Sequence, residues 1–127
     1  MKKLNLNGEI LTLEIGTYRA NNHLAVISHC EDGEPFSDVT INLAGTFRNY
    51  IDEAFIDPIN KDCGLYQLLI NKGIIKEVLK ENVQYNMGHY DLVRFDLDKL
   101  KEYDPKGYER YLNTIGFEEE ITRFPKI

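Results

Sequence analysis

The sequence predicts an α+β fold. An antiparallel sheet of two N-terminal hairpins, plus a later strand or hairpin, is packed with a central helix and a C-terminal helix pair. Three observations carry that expectation. Asn7-Gly8 and Asp32-Gly33 each lie between alternating apolar residues, the strongest short-range signal for a hairpin. Asp104-Pro105 combines a helix N-cap with proline at the first helical position. Between them, the stretch Tyr90 to Tyr103 passes from period-two alternation to helical spacing with almost no connection.

With Asn7-Gly8 as a two-residue turn, Leu6 faces Glu9 and Leu4 faces Leu11. Leu4, Leu6, Leu11, Leu13 and Ile15 then share one face. Ala20 to His23 forms the next turn, around Asn21-Asn22. In the second hairpin Ser28 opposes Ser37, Val26 opposes Val39 and Leu24 opposes Ile41. The two hairpins make a four-strand meander with one face towards the core. Its other face is mixed, with Ala25, Ile27, His29, Phe36, Asp38, Thr40 and Asn42.

Phe47, Tyr50, Ile51 and Ala54 have helical spacing, and Pro58 then favours extended backbone before it. Asp62 is a plausible N-cap for a central helix running through Asn71, with Leu65, Leu68 and Leu69 on its buried stripe. Gly73 suits the left-handed residue that ends a helix. Ile74 to Glu81 fits either continued helix or strand by spacing, with the break at Gly73 preferred. Val83 to Met87 and Tyr90 to Leu97 read as strands around Gly88, with Val93 and Phe95 on one side and Arg94 and Asp96 on the other. Leu97, Leu100 and Tyr103 begin the helix pair. Tyr108, Tyr111, Leu112 and Ile115 continue it until Gly116. The expectation is one domain over 1–127, with 117–127 a tail that docks loosely or frays.

Composition narrows function mainly by exclusion. An apolar fraction of 43% and a charged fraction of 28% are those of a globular chain. The net charge of −6, from 21 carboxylates against 15 Lys and Arg, disfavours direct nucleic-acid binding, and the longest basic run is Lys2-Lys3. Met1-Lys2-Lys3 is followed by no apolar core of signal-peptide length, and no apolar run is long enough to span a membrane. Cys30 and Cys63 show no motif spacing, which fits a reducing cytoplasm.

Three phrases, Asp38-Val-Thr-Ile-Asn-Leu43, Ala54-Phe-Ile-Asp-Pro-Ile-Asn60 and Gly88-His-Tyr-Asp-Leu-Val-Arg-Phe-Asp-Leu97, span most of the chain between Tyr18 and Leu112. Together they resemble a family of short bacterial proteins of unknown function encoded on conjugative and other mobile elements. Two positions depart from that family's pattern: Pro58 stands where a polar residue is usual, and Asp91 where a proline is usual. The resemblance implies a genomic setting and an unassigned role, and supplies no catalytic residue.

The residues themselves offer little chemistry. His29-Cys30 with Cys63 and His89 invites a metal reading, but the spacings match no zinc pattern and neighbours on a strand point to opposite faces. Surface or structural histidines are the simpler account, and no metal or cofactor is expected. A Cys63 thiol near a helix start could be activated, though cysteines are more often simply buried. Asp91, Asp96, Asp98, Glu102 and Asp104 are dense enough for acid–base work, yet capping and solvation explain such residues at helix starts. The best binding surface the sequence offers is the mixed sheet face, with Phe36, Asp38, Thr40 and Asn42 as candidate contacts.

The expected function is that of a non-enzymatic cytosolic accessory or protein-interaction module, with an unidentified protein partner, as a monomer or edge-paired dimer. Two other classes stand beside it: an acidic inhibitor of host restriction or of DNA-binding proteins, and a small hydrolase or thiol enzyme.

Overall fold

The computed structural model describes residues 1–43, 45 and 50–123, with side chains up to Gly116. Its elements, in order, are β1 (Leu4–Leu6), β2 (Glu9–Thr17), β3 (Leu24–Cys30), β4 (Pro35–Asp38), β5 (Thr40–Ile41) and β6 (Glu53–Ile56). They continue as α1 (Ile59–Asp62), α2 (Leu65–Asn71), β7 (Ile75–Tyr85), β8 (Gly88–Phe95), α3 (Leu97–Tyr103) and α4 (Pro105–Arg123). The fold is α+β, as the patterning predicts. It is built on two antiparallel sheets, of order β1-β2-β3-β4 and β5-β6-β8-β7.

The first hairpin has the expected register, with Leu4 opposite Leu11 and Leu6 opposite Glu9. Asn7 and Gly8 take φ of 51° and 96°, the left-handed pair that a two-residue turn needs. In the second hairpin Ser28 opposes Ser37, but a bulge brings His29 opposite Pro35, and the loop widens to Glu31–Glu34.

The expected pairing of Leu24 with Ile41 does not occur. Val39 still donates its N–H to the Val26 carbonyl at 2.9 Å, but the chain then leaves the first sheet. Thr40 pairs with Ile56 and Ile41 with Phe55, in the second sheet. Side chains make this departure possible. The Thr40 hydroxyl accepts the Val26 N–H at 3.0 Å, replacing a ladder carbonyl. Asn60, 0% exposed, donates through Nδ2 to the carbonyls of Asp38, Val39 and Asp57 at 2.9, 3.1 and 2.8 Å. Its Oδ1 accepts the Ser37 hydroxyl at 2.8 Å. Backbone groups that lose sheet partners are therefore satisfied across the crossing.

Two further expectations change, and a third that the spacing left open is settled. Ala54, read with helical spacing, lies in β6, where Glu53 to Ile56 are all buried; a short run buried on both sides carries no reliable period. Tyr50 and Ile51 precede that strand, and Phe47 lies outside the described residues. Asp62 is not an N-cap: Asp57 Oδ1 accepts the Ile59 N–H at 3.1 Å and starts the turn earlier. Gly64, at φ 88°, then separates α1 from α2. The preferred break at Gly73 is present: at φ 72° it ends α2, and Ile75 to Glu81 are strand, in β7.

The helix pair begins as expected. Asp96 Oδ1 caps α3 through the Lys99 N–H, and Asp104 Oδ1 accepts the Gly107 N–H at 3.0 Å. Gly116 does not end α4, which runs on to Arg123; an internal glycine costs only about 1 kcal/mol relative to alanine. The expected tail over 117–127 is thus helical backbone up to Arg123, and its last four positions lie outside the described residues. Asp104 also accepts the Ile15 N–H through Oδ2 at 2.9 Å, so one carboxylate both caps the helix and ties it to β2.

Gly107 makes that approach possible. A Cβ there would lie 2.7 Å from the Ile15 carbonyl oxygen, a backbone atom that cannot swing aside. Gly107→Ala is expected to cost about 2 kcal/mol by overpacking, read as a lower urea midpoint at unchanged m-value.

One apolar cluster joins both sheets and the helices. Leu4, Leu11, Ile15 and Val26 from the first sheet meet Ile56, Val93 and Phe95 from the second. Leu65 and Leu69 of α2, Leu100 of α3, and Tyr111 and Ile115 of α4 complete it.

Candidate functional site

The four residues singled out on the mixed face do not share one surface. Phe36 is half-buried and packs against the core, while Asp38 is exposed. Thr40 is 1% exposed, and its hydroxyl is hydrogen-bonded to the Tyr18 hydroxyl at 2.7 Å as well as to Val26. Asn42 accepts the Asn21 amide at 3.0 Å. The sheet change at Val39 separates the first two from the last two.

The thiol and histidine candidates are dispersed. His29 Nε2 meets Glu14 Oε1 at 2.8 Å, His23 is buried and His89 is exposed. Burial, with Glu9, Asp32 and Glu34 nearby, pushes the Cys30 thiol up, away from the thiolate a nucleophile needs. Cys63 Sγ lies 3.8 Å from the Asn60 carbonyl oxygen. Among the described residues no group of three or more His, Cys, Asp or Glu is placed to hold a metal ion. Likewise, none of the described helices is long and apolar enough to cross a membrane.

A different feature emerges in the second sheet. β6 pairs with β8 only at Leu92, Val93 and Arg94, whereas β7 pairs with β8 from Phe95 out to Gly88. The distal part of the β7–β8 hairpin, Val83 to Tyr90, therefore projects as a two-stranded ribbon. No residue in it is buried. Val83 lies opposite Tyr90 on one face, and Gln84 opposite His89 on the other. The Tyr85 and Tyr90 rings meet edge to face with centroids 6.4 Å apart. A Cβ at Gly88 would lie 2.6 Å from the Tyr90 hydroxyl, so the missing side chain leaves room for that ring. Met87, at the turn, is 100% exposed.

An isolated two-stranded ribbon is marginal in water, so its base needs an anchor. Asp91 supplies it. Its Oδ1 accepts the Asn82 N–H at 2.9 Å, and Oδ2 accepts the Tyr66 hydroxyl at 2.9 Å and faces Lys61 Nζ at 3.1 Å. Asn82 takes φ of 53°, and β7 shifts register between Lys80 and Val83, so the carboxylate satisfies the backbone where the strand bulges. Lys61 comes from α1 and Tyr66 from α2, and Lys61 Nζ also sits 5.7 Å from the Tyr66 ring centroid. Burial alone would push the Asp91 carboxyl up. The Asn82 amide, Tyr66 hydroxyl and Lys61 ammonium outweigh it and hold the group below the ordinary carboxylate range. Burial and the Asp91 carboxylate push the Tyr66 phenol up. Neither group is poised for proton transfer near neutrality; the arrangement is a structural clamp.

The outer face of the same sheet holds a second polar cluster. Arg94 meets Glu77 at 2.9 Å, Glu53 at 3.0 Å and Asp52 at 3.4 Å. The guanidinium draws three carboxylates from β6, β7 and the residue before β6 onto one point. They outnumber its single positive charge, and the shared guanidinium ties the strands together.

The family model for a domain of unknown function, DUF4313, matches residues 12–115. The chain belongs to that family. The DUF4313 match takes in both sheets apart from β1 and the start of β2, together with the whole ribbon and the Asp91 clamp. No curated protein and no solved structure matches the chain.

Sequence reasoning passed over Asp91, reading it with its acidic neighbours as capping or solvated surface. A signal was present: Asp91 shares the two-residue period of Val93 and Phe95, which places it on the buried side of β8.

Proposed function

We propose that this DUF4313 protein is a non-enzymatic accessory protein of a bacterial mobile element, acting in the cytoplasm by binding another protein through the β7–β8 ribbon. The observation that carries this reading is the projecting amphipathic ribbon itself. It presents Val83, Tyr85 and Tyr90 on one face and Met87 at the tip, held out by a buried carboxylate at its base. Tyrosine and methionine are enriched at protein interfaces and supply contact area at low entropic cost. The partner that suits this surface is a protein with an apolar cleft wide enough for the two tyrosines. The resemblance of the sequence to proteins of conjugative elements supports the genomic setting, and the unmotivated spacing of its cysteines supports the compartment.

A photo-crosslinking amino acid at position 87, in full-length protein expressed in a bacterial host carrying the element, tests the proposal. One discrete adduct is expected, lost when Tyr85→Ala and Tyr90→Ala are combined and absent when the crosslinker is moved to position 106 on α4. Equal adducts from both positions, or none from position 87, would overturn it.

A further inference from the structure

The chain carries −6 overall, and its basic residues form no run longer than Lys2-Lys3. Folding nevertheless gathers four lysines around one groove of about 340 Å³. Lys2 and Lys3 arrive from the segment before β1, Lys72 from the end of α2 and Lys99 from α3. Among the described residues that line it, Glu102 is the single carboxylate beside the four lysines. The buried side chains of Ile74 and Tyr103 complete it.

The ammonium groups are held in different ways. Lys2 Nζ bonds Glu102 Oε1 at 2.7 Å, and the Lys2 backbone N–H donates to the Glu102 carbonyl at 2.9 Å, which fixes the start of the chain against α3. Lys99 Nζ donates to the Lys72 carbonyl at 3.4 Å. It rests where a Cβ at Gly73 would stand, 2.5 Å away, so the glycine that ends α2 also admits this amine. Lys3 meets Glu31 at 3.3 Å with both side chains largely in water, a contact easily exchanged for another anion. Like charges gathered from three separate segments repel one another, and the lining carboxylate of Glu102 offsets that repulsion only in part.

We propose that this groove is a binding site for a small oligophosphate anion. Lysines on flexible stems act as point charges and suit tetrahedral phosphate oxygens of varied spacing. The volume lies at the lower end of small-ligand sites. Tyr103 is only 6% exposed and leaves no ring face on which a base could stack, so recognition is of the phosphate chain alone. Inorganic triphosphate and a nucleoside triphosphate should therefore bind alike.

The test uses the full chain at low salt, titrated with sodium tripolyphosphate, with ATP and with hexaglutamate, and followed by calorimetry and backbone amide NMR. Tripolyphosphate and ATP are expected to bind within about threefold of each other, and hexaglutamate at least tenfold more weakly. The amides that move should be those of residues 2–3, 72–74 and 99–103. Combining Lys72→Ala with Lys99→Ala should weaken tripolyphosphate at least tenfold, while Lys80→Ala and Lys106→Ala leave it unchanged. Glu102→Gln removes the competing carboxylate and should tighten binding, an outcome that loss of folding cannot imitate. Equal weakening by any lysine substitution, hexaglutamate binding as tightly as triphosphate, a tenfold preference for ATP, or no binding at all would each overturn the proposal.

Discussion

Asn60→Asp is expected to destabilise the protein by about 3–5 kcal/mol at neutral pH, the range for a buried charge left without a partner. The two side chains are nearly the same size, so packing is not what changes. In the native protein the Asn60 amide nitrogen serves three backbone carbonyls, while its oxygen accepts the Ser37 hydroxyl. A carboxylate keeps the bond from Ser37 and turns its second oxygen against carbonyls of the same polarity. The carboxyl introduced at position 60 would have a folded pKa above its unfolded value near 3.9. Its penalty is then complete above the folded pKa and fades as pH falls through it towards the unfolded value. Urea midpoints of wild type and variant between pH 4 and pH 8 should converge on the acid side. Curves that stay parallel would mean that position 60 is hydrated and that the crossing from β4 to β5 is held by something else.

Asp91→Ala is the second large effect, at about 3 kcal/mol. It leaves the Tyr66 hydroxyl and the Asn82 N–H without their acceptor, each at about 1–3 kcal/mol, and lets the largely exposed Lys61 return to water. Tyr66→Phe alone should cost about 1 kcal/mol, and much less in the Asp91→Ala background, because the two groups act on one bond. Here a native carboxylate stabilises the fold, whereas the one introduced at position 60 destabilises it, so this variant too approaches wild type as pH falls. The Asp91 carboxyl is held below its ordinary value of 3.8, so its contribution is complete above that value. It is lost as pH falls through the lower folded pKa. Acid titration of stability should therefore be less steep in Asp91→Ala than in wild type below about pH 4. Amide exchange should also speed up in the ribbon, from Val83 to Tyr90, before it does so in β2 and β3.

The contrast between these residues shows how far the sequence could be read. Local chemistry was legible. Asn7-Gly8 set the register of the first hairpin, Asp104-Pro105 opened α4, and Gly73 closed α2, because each acts through its own backbone. What required contacts between distant residues was not legible. Val26 and Val39 align as expected, yet the next pair parts company where Asn60, more than twenty positions away, takes up the Asp38 and Val39 carbonyls at the crossing. The central helix began early for a related reason: Asp57 bonds Ile59 before Asp62 has a free amide to cap. The candidate site was the least accessible. A ribbon is visible as a ribbon only once β6 is known to pair with three residues of β8 and no more. The lysine groove assembles from three segments whose basic residues look scattered on the line of the sequence.

The segment from Pro35 to Ile41 borders one sheet with its first half and the other with its second. Such a stretch works like a hinge pin shared by two leaves. Cutting the chain between β4 and β5 to express either half alone would leave each sheet its four strands, but Leu24, Val26 and Val39 would lose the apolar cover that Ile56 and Phe95 provide. Fragments taken on either side should be insoluble separately and regain native structure only when refolded together.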